Sequence, residues 1–397
     1  MNGTERIKKI LLFGIPVSIC NFRCHYCYLS QRDESFQGLH PKMKYSPEEF
    51  GKAMSVDRIG GYAFANFCAD GETFLVENID QYVKAFVEQG HYAEVVTNLS
   101  VTKVLNKFLE WDKQLLKHLE FKCSFHYLEL KKKGLLNTFA DNVNRIWDAG
   151  ASATIEITPS DELIPFIDEV KAFSLEHFGA LPHLTIARDD RTEGIDYLTK
   201  LDLDEYDRVW SQFKSDLWAF KKTIFGVKQK GFCYAGSWSM YINLCTGEAS
   251  ACYCGGSLGN VFADPTSPLP EKPVGRCPLA HCYNGHALMT MGLIPHVTDM
   301  RYDRVRNRVC KNGRQWLQPE LKDFFSSQLI ESNKEYSELK KLTYKLQPSV
   351  EQRIKVRVLM HAILKSPNFV VRQIIGNDKY EKIKKRIKGN KAWREYR

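Results

Sequence analysis

Six times before residue 222 the chain passes from a short run of β-branched or aromatic residues into a stretch with helical spacing. That alternation constrains the fold more than any other feature, because parallel strands need crossover connections, and the connecting helices must lie over the sheet. Strands are expected at residues 10–17, 62–68, 94–98, 119–126, 153–158 and 184–188. The helices carry their own punctuation. Ser46-Pro47-Glu48-Glu49 reads as an N-cap, a proline at the first helical position and acids in the first turn. Gly90 and Gly150 sit where C-terminal glycines would end the next helices. Six consecutive units predict an α/β chain whose residues 1–222 form a partial (β/α)6 TIM-like barrel, with its site at the C-terminal ends of the strands.

Beyond a helix expected at residues 204–222 the texture changes. Residues 231–285 hold six of the twelve cysteines and are rich in glycine. They include a hairpin pattern, with a strand at 239–243, a turn at Cys245-Thr246-Gly247 and a return strand at 249–252. The proline-rich stretch 264–273 reads as a loop. Together these predict a small β-hairpin and cysteine-rich module over residues 223–314, organised around metal. From about residue 315 the chain reads as a helical, basic extension, 315–397. From Lys311 onward 21 Lys and Arg face 9 Asp and Glu, whereas residues 1–310 carry 35 against 38. The net charge of +9 therefore belongs to the tail and does not describe the catalytic part.

No apolar run reaches the roughly 20 residues that a membrane span needs. The polar stretch from Met1 to Lys9 leads directly into the first strand without a signal-peptide pattern. A cytoplasmic location is expected, so the cysteines read as metal ligands, redox groups or packed thiols, not as a disulfide framework.

Cys20, Cys24 and Cys27 follow the first strand with the spacing Cys-x3-Cys-x2-Cys. So short a loop lets all three thiolates converge on one cluster. A four-iron cluster held by three thiolates leaves one iron open to a small molecule. The competing reading is a zinc knuckle with His25 as fourth ligand, although structural zinc sites are usually built from two separated pairs. The strands add a polar chamber. Those of a covered parallel sheet should be apolar on both faces, yet the fourth alternates Lys122, Ser124 and His126 with Phe121, Cys123 and Phe125. The fifth alternates Thr154, Glu156 and Thr158 with Ala153, Ile155 and Ile157. A period of two puts each polar row on one face, which makes Lys122, His126 and Glu156 candidate catalytic residues in a polar lumen. The alternatives are a buried Lys122–Glu156 ion pair with structural work alone, and a satisfied core histidine at 126.

The triplet, with the aromatic Tyr26 just before its last cysteine, resembles the hallmark of the radical S-adenosylmethionine (SAM) superfamily, and the resemblance covers about residues 8–220. It implies that Cys20, Cys24 and Cys27 hold a [4Fe–4S] cluster whose open iron chelates the amino and carboxylate groups of SAM. One electron from the cluster then cleaves SAM to methionine and a 5′-deoxyadenosyl radical, which abstracts hydrogen from the substrate. Asp70-Gly71-Glu72 resembles the family's Gly-Gly-Glu-like contact to the SAM amino group, with Asp70 replacing the first glycine. Thr97-Asn98 resembles the contact to the ribose or methionine part, and Ser124 a polar contact to SAM. With Tyr26 these complete the implied cofactor-binding set. A reductant such as flavodoxin or ferredoxin is the implied electron donor.

Cys233-x13-Gly247-x4-Cys252, flanked by Cys233-Tyr234-Ala235-Gly236 and Leu258-Gly259-Asn260, resembles the opening of the superfamily's SPASM/twitch extensions, which bind auxiliary [4Fe–4S] clusters. Cys277 and Cys282 supply a second pair. Only Cys310 follows, where a full SPASM module would continue with more cysteines, so a twitch-like module with one auxiliary cluster on Cys233, Cys252, Cys277 and Cys282 is implied. Cys254 could replace any of these. Cys245 and Cys310 read as ordinary thiols, and Cys68 and Cys123 as packed ones. A zinc ribbon with four cysteine ligands is the alternative. A cluster with four protein thiolates relays electrons and does not bind substrate, which implies net oxidation.

The resemblance implies two substrate classes: carbohydrate-like or polysaccharide-related molecules, and peptides or proteins. The short stretch before the first strand leaves no room there for a leader-binding domain, and Ile374-Ile375-Gly376 with its Lys-rich sequel loosely resembles the C-termini of bacterial surface-polysaccharide enzymes. Both favour the carbohydrate reading. A tRNA-modifying enzyme and a zinc-stabilised binding protein are the remaining readings, and no nucleic-acid-binding fold is recognisable. Residues 356–375 read as an amphipathic helix able to touch an anionic surface.

Overall fold

The computed structural model describes residues 5–31, 42–192 and 194–345. Six strands, β1 (Ile7–Ile15), β2 (Tyr62–Ala69), β3 (Tyr92–Thr97), β4 (Leu119–Ser124), β5 (Ser152–Ile157) and β6 (His183–Leu184), lie side by side in chain order. Every neighbouring pair is parallel. Helices join them, among others Pro47–Ala53, Ile79–Val87 and Leu136–Ala149. This is the strand order and direction of a partial TIM-like barrel.

β7 (Arg188–Asp189) and β8 (Asp196–Tyr197) form a separate antiparallel ribbon. β9 (Ser239–Asn243) runs parallel to β1 on its free edge, and β10 (Glu248–Ser250) and β11 (Ser257–Asn260) continue the sheet antiparallel. The cysteine-rich segment and the barrel therefore share one sheet, and residues up to Tyr344 form one compact unit.

The local signals act as expected at several ends. The Ser46 hydroxyl accepts from Glu49 N at 3.2 Å and the Glu49 carboxylate from Ser46 N at 2.7 Å, a reciprocal cap ahead of Pro47. Gly150 ends Leu136–Ala149 with φ 96°, a left-handed conformation that a side chain would strain. Two elements differ from expectation. The helix expected at 204–222 is broken into Leu203–Trp210 and Asp216–Ile224, because Lys214 takes φ 47° and the Ser215 hydroxyl caps the second piece at Trp218 N. The sixth strand pairs only through His183 and Leu184. Beyond them the chain leaves the sheet for the ribbon, where the Arg188 carbonyl accepts from Gln31 Nε2 at 2.9 Å.

Period-two alternation sorts the strands into two faces. The outer rows, with Phe13, Phe67, Phe121, Cys123 and Ile155, pack under the helices; Phe13 stacks on Phe67 at 4.9 Å. Cys123 is fully buried there, a packed thiol as expected. Cys68 lies on the opposite, inner row and is only half-buried, since it is one register position away from Phe67. At the N-terminal ends of the strands the inner face is closed by helices Tyr302–Arg306 and Pro319–Ser326. Phe324 stacks on Tyr92 at 3.8 Å and Phe325 meets Phe64 edge-on at 5.2 Å. The first part of the expected basic extension thus packs against the barrel; residues 346–397, including 356–375 and the Lys-rich end, lie outside the described residues.

Above this plug the inner rows carry charge. Arg306, fully buried, donates to Glu120 at 3.1 Å, to Glu156 and to Thr154. Lys122 stands 3.6 Å from Glu156 and 3.8 Å from Glu94, which also accepts from Tyr302 at 2.8 Å and from Asn66. The Lys122–Glu156 pair weighed in the sequence exists, but it is one edge of a network centred on Arg306. Burial works to raise the Glu156 pKa, yet Lys122 and Arg306 outweigh it and hold this carboxyl well below the usual range. Burial pushes Glu120 up to about 7 against Arg306, with Glu94 adding to the rise. Among the described residues its Oε2 has no hydrogen-bond partner.

Breaking a buried ion network by deleting one partner costs about 3–5 kcal/mol. Arg306→Leu is therefore expected to lower unfolding stability by that amount in urea titrations, and a loss under about 1 kcal/mol would contradict the network's role. A carboxyl whose folded pKa is about 7 against an ordinary 4.5 binds more proton in the folded state. Stability then falls as pH rises through that window. The stability of the native chain minus that of Glu120→Gln should fall between these two pH values; a flat difference would exclude the titration.

Candidate active site

The C-terminal strand ends meet at the loop after β1. Asp70 N donates to Ile15 O (3.0 Å), Gly71 N to Val17 O (2.5 Å) and Glu72 N to Ile19 O (2.9 Å), so the chain entering the thiol loop runs along 70–72. A Cβ on Gly71 would stand 2.1 Å from Ile19 O, and only glycine permits this approach. Glu72 is buried and accepts from Thr97 Oγ1 (2.5 Å), Phe74 N (2.9 Å) and Asn98 N (2.8 Å). Burial raises its pKa against these hydrogen bonds. Asn98 Nδ2 reaches Asn21 Oδ1 at 2.9 Å inside the loop, and Glu129 accepts from Arg23 N at 3.1 Å. Gly71, Glu72, Thr97 and Asn98 are thus joined in one frame that holds the loop.

Tyr26 and His126 share a hydrogen bond of 2.6 Å between the phenol and Nδ1. Burial drives His126 down to about 4, so it stays neutral and serves the loop's aromatic residue. Tyr28 donates to Asp70 O at 2.5 Å. Ser124 is half-buried in register with Glu156, and Lys122 and Glu156 lie in the charged network below.

Cys24 is buried, and Cys20 and Cys27 are half-buried. Burial pushes all three thiols up, Cys20 to about 11, with only the 3.4 Å hydrogen bond from Phe22 N and Arg23 opposing at Cys20. Cys20 and Cys27 each raise Cys24 further, which sets the three in one neighbourhood. Buried thiols opposed by a cation only at Cys20 fit a group that brings its own positive charge, such as an iron–sulfur cluster. His25 is turned away to Glu162 at 2.8 Å, so the zinc-knuckle reading has no fourth ligand from this residue.

The second thiol group is denser. Cys233, Cys252, Cys254, Cys277, Cys282 and His281 line one cavity. The paired bonds Cys233 N to Gly275 O and Gly275 N to Cys233 O, both 2.9 Å, bring the early cysteine beside the later pair. Cys254 is hydrogen-bonded to Cys252 and Cys277; that bond is the main force lowering Cys277 to about 6, while Cys254 itself is raised. Burial pushes Cys282 up to about 12. Both ring nitrogens of His281 are buried without a partner among the described residues, as expected of a wall facing a group that belongs in the cavity. Among the described residues no set of three or more His, Cys, Asp or Glu side chains is gathered tightly enough for a metal ion. A tetrahedral zinc site sets its sulfurs roughly 4 Å apart, and a four-iron cluster spreads them wider. Cys245 and Cys310 are buried elsewhere, Cys310 donating to Phe178 O at 3.2 Å.

Sequence reasoning missed Arg306, Tyr302, His286, Lys221 and Arg188. His286 Nε2 lies 3.3 Å from Lys122 Nζ. Four of them come from segments without a strand pattern, so no periodicity pointed inward, and Arg188 closes the strand expected at 184–188, beyond the two residues that pair in the sheet.

A mixed α/β half-barrel with one thiol loop at its strand ends and a second thiol cavity beside it is the class of protein that fold and site define. No family model and no curated protein matches the chain. Solved structures similar to it include Streptococcus suis SuiB bound to S-adenosylmethionine, at 13% identity over 66% of this chain and 67% of that one, TM-score 0.45. Others are anSMEcpe with bound AdoMet, at 15% identity over 66% and 77%, TM-score 0.45, and BtrN in complex with AdoMet and 2-DOIA, at 14% over 65% and 79%, TM-score 0.33.

Because Gly71 has no room for a side chain, Gly71→Ala is expected to push residues 15–19 off their track. Alkylation of Cys20, Cys24 and Cys27 in the metal-free chain should then accelerate severalfold, as read by peptide mass spectrometry, with Cys123 unchanged. Equal rates at the triplet would contradict the framing role of residues 70–72.

Proposed function

We propose that the chain is a radical SAM enzyme that carries out a net oxidation of a carbohydrate-like substrate. What supports this reading is the neighbourhood of Cys20, Cys24 and Cys27 in the loop after β1, together with the polar inner rows of the strands and a second cavity lined by five cysteines. When bound, the cluster on the triplet and SAM would supply one-electron cleavage to a 5′-deoxyadenosyl radical that takes hydrogen from a substrate C–H, and an auxiliary cluster would accept the remaining electron.

The chain's own part is positioning. Glu72, Asn98 and the Tyr26–His126 pair keep the triplet loop in place, and Ser124 offers a hydroxyl to the chamber. Cys233, Cys252, Cys277 and Cys282 would hold the auxiliary cluster, with Cys254 and His281 against it. Tyr253, 48% exposed, lies with its ring 5.1 Å from that of Tyr241, and Gly14 lets Tyr241 cross β1, since a Cβ there would meet its ring. Such an aromatic wall suits the C–H face of a sugar ring, which supports the carbohydrate reading over peptide modification. Residues 1–222 would serve as the SAM-binding barrel, 223–314 as a twitch-like module and 315–397 as the extension. A flavodoxin or ferredoxin would deliver the electron in the cytoplasm.

Anaerobic reconstitution is expected to give about eight iron and eight sulfide per chain. Cys24→Ala should keep about four iron and make no 5′-deoxyadenosine with dithionite and SAM. Cys252→Ser should lose about four iron, whereas Cys254→Ser should keep them. Tightly bound zinc without iron, or SAM cleavage surviving in Cys24→Ala, would sink the reading.

A further inference from the structure

The cavity lined by the second thiol group holds one side chain whose polar atoms have no use within the described residues. His281 is 2% exposed, and neither of its ring nitrogens has a hydrogen-bond partner among them. Two rings hold it in the interior, that of Phe225 at 4.5 Å, just after helix Asp216–Ile224, and that of Tyr283 at 5.3 Å. Lys228 Nζ donates to Leu279 O at 2.5 Å and fixes the chain two residues earlier. A buried donor left unpaired is costly, so native proteins rarely keep one unless a bound group takes it up.

The lining of the cavity narrows what that group offers. Apolar side chains, Val274, Leu288, Met289 and Ile294 among them, share it with the thiols of Cys233, Cys252, Cys254, Cys277 and Cys282. Its other polar side chains are Gln229, Tyr253 and Tyr283, and none of them bonds to the ring. Gln229 gives its amide to Val227 O at 3.2 Å. Sulfur is therefore the acceptor that this space offers to the imidazole. Ligation is not what the ring is needed for, because four thiolates complete a four-iron cluster and the cavity holds a fifth. In either protonation state an imidazole has at least one N–H to give.

We propose that the N–H of His281 donates to a sulfur of the auxiliary cluster and raises the cluster's reduction potential. Hydrogen bonds to sulfur stabilise the negative charge that reduction adds, and they are among the levers that set the potentials of such clusters. Apolar walls strengthen the effect, because a hydrogen bond in a low dielectric is poorly screened. The inference rests on the auxiliary-cluster part of the reading above, and it concerns the potential of that cluster, not its ligands or the cleavage of SAM.

The test is an EPR-monitored redox titration of the full chain carrying Cys24→Ala, in which anaerobic reconstitution should fill the auxiliary site alone. Adding His281→Leu should leave about four iron per chain. It should make the cluster about tenfold harder to reduce, which is about 59 mV lower for one electron. His281→Gln, whose amide can still donate, should restore part of the shift, which separates a lost hydrogen bond from a loosened wall. Pulsed EPR of the reduced parent in deuterated buffer should show a weakly coupled exchangeable deuteron that His281→Leu lacks. An unshifted potential with the iron retained, equal shifts in the two variants, or a parent spectrum without that deuteron would overturn the proposal. If His281→Leu loses its iron, the parent spectrum decides: the weakly coupled deuteron supports the bond, and a directly bound ring nitrogen makes His281 a ligand and overturns it. Absence of iron from the Cys24→Ala parent would instead sink the auxiliary-cluster reading, and this inference with it.

Discussion

β1 is hydrogen-bonded along both edges, to β2 on one side and β9 on the other. Nearly all its residues are buried. A central parallel strand has no freedom to shift, because a one-residue slip would reverse the faces of Phe13 and Gly14 and break both ladders. Everything at the site follows from that fixed strand. Its C-terminal end launches the loop of Cys20, Cys24 and Cys27. Its β2 edge presents residues 70–72 to that loop, and its β9 edge ties in the chain that leads to Cys252 and Cys254. One strand therefore sets both thiol groups in a common frame.

The inner face meets two opposed demands. Near the strand starts it is an ordinary core, with Phe64 and Tyr92 under Phe324 and Phe325. Further along it must stay polar, and buried charge is tolerable only when paired and hydrogen-bonded. Arg306 meets that demand from outside the strand pattern by bridging Glu120 and Glu156. The carboxylates are thereby committed to structure. Candidate catalytic roles for Lys122, His126 and Glu156 have to be weighed against these bonds: the first and last support the chamber, and His126 supports Tyr26.

Much of this was legible beforehand for identifiable reasons. Alternating runs of strand and helix residues have characteristic periods, so six units and the polar rows on β4 and β5 could be read directly. Capping at Ser46 and the end at Gly150 are local events decided within a few residues. Irregular segments resisted reading. β6 stayed short because the carbonyls just beyond it, of Ala187 and Arg188, accept from Leu198 N and from Gln31 Nε2, and the helix at 204–222 broke where Lys214 took a left-handed turn. Cys68 looked like another packed thiol, but its register places it on the inner row.

By itself the sequence determined the order of elements, the two thiol groups and the polar faces, because spacing and side-chain period are properties of neighbouring residues. The tertiary structure alone decided that the hairpin joins the barrel sheet through β1, that five cysteines and His281 share a cavity, and that Arg306 neutralises the lumen. These depend on contacts between residues far apart in the chain, such as the 186-residue separation between Glu120 and Arg306. No local pattern encodes which distant charge will arrive to compensate a buried one.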